Sequence, residues 1–240
     1  MNTSIIQLKT ILHDYQHTQM LDDVLKRISS EKIGVEIGGP STSGTVIYEN
    51  ATCIDNVIFS NDTIWSKHDA SYNYHENKQG RVIVNDAVNI MDIQDESYYF
   101  CFSSHSLEHI ANPLKAINEW LRIIKKDGHI IIVVPEKSMC FDHKREYSKF
   151  ATLLSQYEKD VDEDDLSTLP EILRKHDLNM DHCAGDLASF TKRSLENFEN
   201  RTLHHYVYND ELLMEICNHF HCEFVYNETQ GLNRWFIMKK

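Results

Sequence analysis

Short apolar runs alternate with amphipathic stretches through the middle of the chain, and this alternation predicts a parallel sheet with helices on both faces. Five runs have the length and apolar content of strands: Lys32–Ile37, Ala51–Asp55, Arg81–Asp86, Tyr98–Ser104 and Gly128–Pro135. Nearly continuous apolar strands of this kind are typical of sheets whose two faces are both covered.

Amphipathic segments before, between and after these runs are predicted to be helices. One face of the first helix carries apolar residues with a period near 3.6: Leu21, Val24, Leu25 and Ile28. A second helix begins at Pro113 and is predicted to end at Lys125–Gly128, because basic residues and glycine suit a helix C-terminus. The third, Asp210–Phe220, precedes two final strands, Cys222–Tyr226 and Arg234–Met238.

Residues 136–205 are polar and break the alternation, so we predict a helical cap inserted after the fifth strand. The chain then divides into N-terminal covering helices (1–30), a core (31–135), the cap (136–205) and a C-terminal helix with a strand pair that completes the sheet (206–240). The predicted fold is α/β and Rossmann-like, with seven mostly parallel strands.

Composition and charge narrow the classes of function. The 240 residues are 41% hydrophobic, which is enough for a sizeable core. Acidic residues outnumber basic ones by 37 to 24, and a net charge of −13 disfavours general nucleic-acid binding. No run approaches the roughly 20 apolar residues of a membrane span. The N-terminus lacks the pattern of a secretion signal, and the six cysteines suit a reducing compartment, so a cytoplasmic location is expected.

The ends of the predicted strands carry glycines and acids. Glu36–Pro40 (EIGGP) follows the first strand, and its glycines allow a tight turn and the close approach of a ligand. Asp55 comes 19 residues after Glu36, where a carboxylate can accept both hydroxyls of a ribose. Asp86 and Ala87 follow the third strand. Open α/β sheets bind ligands at these strand ends.

A second group of polar residues follows the fourth and fifth strands. On a helix beginning near Ser104, three side chains would share one face: His105, Glu108 and His109. His143 follows the fifth strand. Imidazoles suit a general base, for which His109 and His143 are the best candidates, with Asp142 as the carboxylate that orients one of them. Imidazoles together with a carboxylate also suit a divalent metal.

As a set, these motifs resemble the class I S-adenosylmethionine-dependent methyltransferases over roughly residues 30–136. Glu36–Gly39 is similar to their first motif, Asp86-Ala87 to their adenine-side motif, and His105–Pro135 to their later "LEH … NP … P" stretch. The resemblance implies S-adenosylmethionine as the cofactor, leaving S-adenosylhomocysteine as the product. Pro40 departs from the first motif, where a third glycine is common.

The resemblance also implies individual roles. Glu36 would face the methionine amino group, and Asp55 would hold the ribose hydroxyls. Asp86 would accept a hydrogen bond from the adenine amino group. The implied cofactor set is completed by residues that approach through their backbone or line the site: Gly38, Gly39, Ala87 and Ser104. Ser41–Thr45 is not expected to form the helix that usually follows the first motif.

Two finer resemblances point to different acceptors. The cap resembles that of bacterial methyltransferases found with surface-polysaccharide biosynthesis, which implies O-methylation of a sugar or a phosphorylated small molecule. Similarity to enzymes that methylate the terminal 2′-hydroxyl of small RNAs offers the alternative of a metal site formed by His105, Glu108, His109 and His143. Because those enzymes have Glu in place of His105, a base is favoured over a metal.

A third alternative is a non-catalytic nucleotide-binding protein of the same fold, which the intact set of acids disfavours. Two further expectations concern the cap. Three of its arginines, Arg145, Arg193 and Arg201, could clamp an anionic group of the acceptor. The segment His204–Tyr206 is expected to lie in a surface loop before the last helix.

Overall fold

The computed structural model describes residues 19–62 and 71–240. Within them one sheet contains eight strands: β1 (Ile33–Ile37), β2 (Cys53–Ile58), β3 (Ser71–His75), β4 (Lys78–Val84), β5 (Tyr98–Ser104), β6 (Ile124–Pro135), β7 (Glu223–Gln230) and β8 (Asn233–Lys239). Their order is β3-β4-β2-β1-β5-β6-β8-β7.

The sheet is parallel at its centre and antiparallel at both edges. β4, β2, β1, β5 and β6 pair in parallel, whereas β3 is antiparallel to β4, and β8 is antiparallel to both β6 and β7. The mostly parallel Rossmann-like sheet is therefore confirmed, and the number of seven strands is wrong. The additional strand is β3, whose alternating polar residues give a weaker apolar signal than the central strands.

Helices cover the two faces and fill the region between β6 and the final strands: α1 (19–29), α2 (Thr45–Asn50), α3 (Pro113–Ile123), α4 (Phe150–Glu158), α5 (Leu169–Lys175), α6 (Leu187–Leu195), α7 (Asn197–Asn200) and α8 (Asp210–His219). α4 to α7 occupy the region predicted to be a helical cap. The part of the predicted N-terminal helices before residue 19 lies outside the described residues, and the four-part division of the chain stays a prediction.

One helix is unexpected, and another ends at a different residue from the one predicted. Ser41 caps a short 3-10 turn, Thr42–Gly44, which leads directly into α2, so a helix does follow the first glycine motif. α3 begins as predicted, with the Asn112 side chain accepting a hydrogen bond from the backbone of Lys115. It ends at Ile123 and not at Lys125–Gly128, because Ile124 already pairs with β5 in the sheet.

Around the sheet, the hydrophobic core lies in two layers, one on each face. In β6, Ile130, Ile132 and Val134 face a layer formed with α3 and α8. The alternate residues Ile131 and Val133 face the layer that contains the apolar face of α1. Since all five side chains are fully buried, the central strands are covered on both faces as the sequence predicts.

Parallel pairing brings the carboxyl ends of β1, β2, β4, β5 and β6 to the same edge of the sheet, where the cap segments also lie. Among the described residues, no helix is long and apolar enough to cross a membrane.

Candidate functional site

A cavity of about 460 Å³ opens at the carboxyl ends of the parallel strands. Its strand side is formed by the turns after β1, β2, β4 and β5, and its other side by cap residues. A volume of this size is typical of sites that bind small molecules. The strand side reaches Gly38, Phe59 and Asp86, and the cap side reaches Arg201 and His204.

Gly38 brings bare backbone to the wall of the cavity. Its φ of 81° lies in the left-handed region that favours glycine. A Cβ at this position would lie 2.6 Å from the Ser106 hydroxyl oxygen. The backbone of the neighbouring Gly39 is fixed by the side chain of Asn56, which donates to the Gly39 carbonyl at 2.9 Å and accepts from the Gly39 amide at 3.2 Å. The predicted role of Gly38 in close approach to a ligand therefore fits this geometry.

Glu36 points away from the cavity into a group of tyrosines. It is fully buried and accepts hydrogen bonds from the hydroxyls of Tyr48, at 2.9 Å, and of Tyr72. Burial raises the pKa of Glu36 to about 7, although both tyrosine hydrogen bonds act in the opposite direction. Among the described residues, Glu36 does not line the cavity. Its predicted contact with a methionine amino group therefore has no support from this geometry.

Asp55 also lies outside the cavity lining formed by the described residues. It is only 4% exposed and accepts hydrogen bonds from the backbone and guanidinium of Arg81, at 2.8 and 2.6 Å, and from the Tyr98 hydroxyl at 2.7 Å. The predicted strand end at Asp55 is wrong, because β2 continues three residues further to Ile58. The residue that follows β2 into the cavity is Phe59.

Asp86 and Ala87 line the cavity. The Trp120 indole donates to the Ala87 carbonyl at 3.1 Å and so fixes this turn against α3. Asp86 is also paired with the cap, because its carboxylate lies 3.1 Å from the Arg201 guanidinium. That guanidinium lies over the ring of Phe59, 5.3 Å from its centroid.

The other two arginines expected to clamp an anionic group are engaged within the cap. Arg145 is buried, and Arg193 pairs with Asp181 at 2.9 Å. Ser104, predicted to contact the cofactor, instead hydrogen-bonds Ser41 and Ser43 at 2.8 Å, and within residues 19–62 and 71–240 it is not part of the cavity wall.

The residues after β5 form a tight turn and not the predicted α-helix. Leu107–His109 is a 3-10 turn, and His105 before it has a left-handed φ of 50°. His105 donates to or accepts from Asn233 at 2.8 Å, and its other ring nitrogen is 3.7 Å from the Glu108 carboxylate. The turn still places the predicted trio of His105, Glu108 and His109 on the cavity wall.

Burial dominates the electrostatics of Glu108 and His109. Burial raises the pKa of Glu108, and the nearby His204 and His105 only partly oppose this shift. Burial and the neighbouring His204 hold the pKa of His109 well below its usual range, so this imidazole is neutral near pH 7. The two ring centroids of His109 and His204 are 4.6 Å apart, in an edge contact.

His204 lies beside Glu108 and His109, a contact that the sequence did not predict. Its Nδ1 lies 2.6 Å from the carboxylate of Asp142, which Arg145 also contacts at 2.9 Å. Burial acts to raise the pKa of Asp142, but His204 and Arg145 outweigh it and lower the pKa to about 2. Burial acts to lower the pKa of His204, but Asp142 outweighs it and the pKa is raised. The expectation of a surface loop is wrong, since His204 is 9% exposed and lines the cavity.

His143 lies apart from this cluster. Its Nε2 is 2.9 Å from Asp177, which also pairs with Lys144 at 2.8 Å. Among the described residues, His143 does not line the cavity, so the structure does not bring it to His109. The histidine that Asp142 contacts is His204, and neither His109 nor His143. The apolar neighbours Leu203 and Val207 are the sequence signal that could have indicated burial of this segment.

Comparisons with known proteins agree with this fold. A family model described as a methyltransferase domain matches residues 59–132. No curated protein matches the chain. An S-adenosylmethionine-dependent methyltransferase from Mesorhizobium loti is 6% identical, with a TM-score of 0.53 over 92% of this chain and 96% of that one. A candidate methyltransferase from Bacillus halodurans C-125 is 9% identical, with a TM-score of 0.50 over 92% and 94% of the two chains.

At these identities the solved structures establish the fold and no acceptor. The matched model begins after β2, so it contains Asp86, Ala87, Glu108 and His109 but not Glu36. Residues 59–132 are thus similar to a methyltransferase domain, and the likeness to the solved structures shows the fold that surrounds them.

Proposed function

We propose that this chain transfers a methyl group from S-adenosylmethionine to a hydroxyl oxygen of a small molecule, most simply a sugar or sugar phosphate used in surface-glycan biosynthesis. One observation carries the proposal. A single cavity joins the glycine turn at Gly38 and the acid at Asp86 to the buried polar cluster of Glu108, His109 and His204. Donor and acceptor can therefore lie in one enclosed space. The link to glycans rests on the resemblance of the cap.

The cofactor is proposed to bind at the strand side of the cavity. Gly38 offers backbone without a side chain, and Asp86 would accept from the adenine amino group while the Ala87 amide donates to the ring. The Arg201 guanidinium would have to release Asp86 for this contact to form. Asp86 and Glu163, both paired with Arg201 in this structure, would favour a ligand that carries ammonium and sulfonium groups once the arginine is displaced.

The transfer itself requires alignment and the loss of a proton. S-adenosylmethionine supplies a methyl group on a positively charged sulfur. A lone pair of the acceptor oxygen forms the new C–O bond, the C–S bond breaks with its electrons left on sulfur, and the hydroxyl proton is released. Most of the rate enhancement comes from holding the two reacting atoms about 3 Å apart in line. The polar cluster lies at the end of the cavity where the hydroxyl must ionise.

We place the acceptor hydroxyl beside His204, with Asp142 orienting the ring, and with His109 at its side. His143 has no role in this proposal, because its ring contacts Asp177. A terminal 2′-hydroxyl of RNA is a poorer acceptor, because the cluster is buried beneath the cap and the net charge is −13.

The test is transfer of a labelled methyl group. The purified chain is incubated with S-adenosylmethionine that carries an isotopic label on its methyl carbon, together with neutral sugars, sugar phosphates, catechols and short RNA oligonucleotides. We expect label in an O-methyl group of a sugar or sugar phosphate. His204→Ala should reduce that transfer by about 10² to 10⁴, whereas His143→Ala should keep it. Label on nitrogen, carbon or RNA would contradict the proposal.

A further inference from the structure

Glu108 carries a carboxylate that lacks the partners a buried charge needs. The residue is 1% exposed, and neither carboxylate oxygen has a hydrogen-bond partner anywhere in residues 19–62 or 71–240. The nearest ring nitrogen, of His105, is 3.7 Å away. Burying an unpaired carboxylate is strongly unfavourable, so buried acids are paired, protonated or bound to a metal. Glu108 is one of the residues that line the cavity.

Two imidazoles complete a set of ligands around this carboxylate. One potential ligand atom from each of Glu108, His109 and His204 lies within 4.8 Å of the others. Glu108 and His109 are adjacent in the turn after β5, and His204 comes from the segment before α8. The backbone amide of His205 donates to the carbonyl of Glu108 at 2.7 Å and so holds the two segments together.

His204 has hydrogen-bond partners that are typical of metal-binding histidines. Its Nδ1 donates to Asp142 at 2.6 Å, which leaves the Nε2 lone pair for the cavity side. A carboxylate behind a histidine fixes the ring and makes its free nitrogen a stronger ligand. Arg145 in turn fixes Asp142 at 2.9 Å and donates to the carbonyls of His204 and His205 at 2.7 and 3.0 Å.

We propose that Glu108, His109 and His204 bind one divalent transition-metal ion at the acceptor end of the cavity. Two imidazole nitrogens and one carboxylate oxygen suit Zn²⁺ and related ions better than Mg²⁺ or Ca²⁺, which prefer oxygen ligands alone. Three protein ligands leave at least one position open to the cavity. An acceptor hydroxyl bound there would have a lowered pKa and would release its proton to water before the methyl group is transferred.

This last role of the ion rests on the proposed function, whereas the binding of the ion does not. The site also differs from the sequence-based alternative, in which His105 and His143 were ligands. In the structure His105 bonds Asn233, and His143 bonds Asp177.

The experiment measures metal binding directly. The full chain, expressed without a histidine tag and stripped with a chelator, is titrated with Zn²⁺ in a calorimeter. Co²⁺ serves as a spectroscopic probe, and Mg²⁺ as the control ion. We expect one Zn²⁺ per chain, visible absorption bands for Co²⁺ with nitrogen ligands, and no comparable binding of Mg²⁺.

Variants identify the ligands. Glu108→Gln keeps the shape of the side chain, and we expect it to weaken Zn²⁺ binding by at least about 100-fold. Asp142→Asn should weaken it by about 10- to 100-fold, the usual effect of removing an outer partner of a ligand. His143→Ala is the matched control and should bind as the unmodified chain does. Affinity for S-adenosylhomocysteine, measured on each variant, shows that the cofactor end remains folded.

The possible failures are distinguishable. If the stripped chain binds S-adenosylhomocysteine but no Zn²⁺, or if Glu108→Gln binds Zn²⁺ normally, the metal site is refuted and the proposed function stands. If Zn²⁺ binds through these residues but no hydroxyl compound is methylated, the metal site stands and the proposed acceptor class is wrong.

Discussion

Glu36 is a buried carboxyl group whose protonation is linked to folding. Its pKa is raised from 4.5 to about 7 in the folded chain, so folding favours the protonated form. The resulting stabilisation is complete below about pH 4.5 and is lost as the pH rises through 7. Between pH 4.5 and 8, we expect the free energy of unfolding of Glu36→Gln, measured relative to that of the unmodified chain, to rise by roughly 3 kcal/mol. Urea denaturation at several pH values measures this difference.

The control for this change is Glu223→Gln, which replaces an exposed glutamate at the start of β7. Its stability should follow that of the unmodified chain at every pH. Parallel stability curves for Glu36→Gln and the unmodified chain would show that Glu36 titrates normally, and hence that its tyrosine partners keep it ionised.

Asp55 is expected to act in stability and not in cofactor binding. Its carboxylate satisfies donors from Arg81 and Tyr98. Asn at this position accepts fewer of these bonds, so Asp55→Asn should lower the free energy of unfolding by about 1–3 kcal/mol. Calorimetry should find its affinity for S-adenosylhomocysteine unchanged within about twofold. A ten- to hundredfold loss of affinity with normal stability would return Asp55 to the ribose site that its spacing from Glu36 suggests.

These two acids show what residue types and spacing can predict. The positions of Gly38 and Asp86 on the cavity wall are predictable because Gly38 directly follows β1 and Asp86 comes two residues after the end of β4. The end of β2 is wrongly predicted at Asp55 because the turn residues that follow this strand come only at Ser60–Asp62, after a further apolar stretch. The direction of Glu36 depends on Tyr72, whose strand was not predicted, so no local pattern could indicate it.

At the scale of elements, the cavity is completed by segments far apart in the chain. The position of the segment after β5 is predictable because it directly follows a strong apolar strand, although its conformation is a 3-10 turn and not the predicted α-helix. His204 lies 62 residues from its partner Asp142, and Arg201 is similarly remote from Asp86. Contacts of this kind depend on how the cap packs on the sheet, for which one sequence offers no periodic signal.

The contact between Arg201 and Asp86 ties the cap to the strand side of the cavity. If adenine replaces this contact, removing the arginine should strengthen cofactor binding. A partly exposed ion pair contributes up to about 1 kcal/mol, so Arg201→Gln should raise the affinity for S-adenosylhomocysteine by up to about fivefold. Calorimetry checks this, with Arg193→Gln as the control, since Arg193 pairs with Asp181 within the cap. A weaker affinity for Arg201→Gln would mean that the arginine contacts the cofactor itself.

At the scale of the molecule, the parallel strands and the cap enclose the cavity from opposite sides. The apolar alternation predicted the sheet well, because fully buried strands such as β6 leave an unmistakable apolar run. For the cap, the sequence predicted only that it is helical and that it follows β6. How closely it lies on the sheet follows from buried polar contacts, such as the one between Glu163 and the backbone amide of Ala111 at 2.9 Å.

Because the two sides share one cavity, cofactor binding should stabilise both. At a concentration 100 times its Kd, S-adenosylhomocysteine adds about 2.7 kcal/mol to the free energy of unfolding. For a chain of 240 residues this corresponds to a rise in Tm of roughly 5–10 °C. Hydrogen exchange should slow in the turns at Gly38 and Asp86 and also in the cap segment 197–205. Gly38→Ala is the control, since its Cβ would meet Ser106, and it should show neither effect. Protection confined to the strand turns would show that the cofactor does not reach the cap.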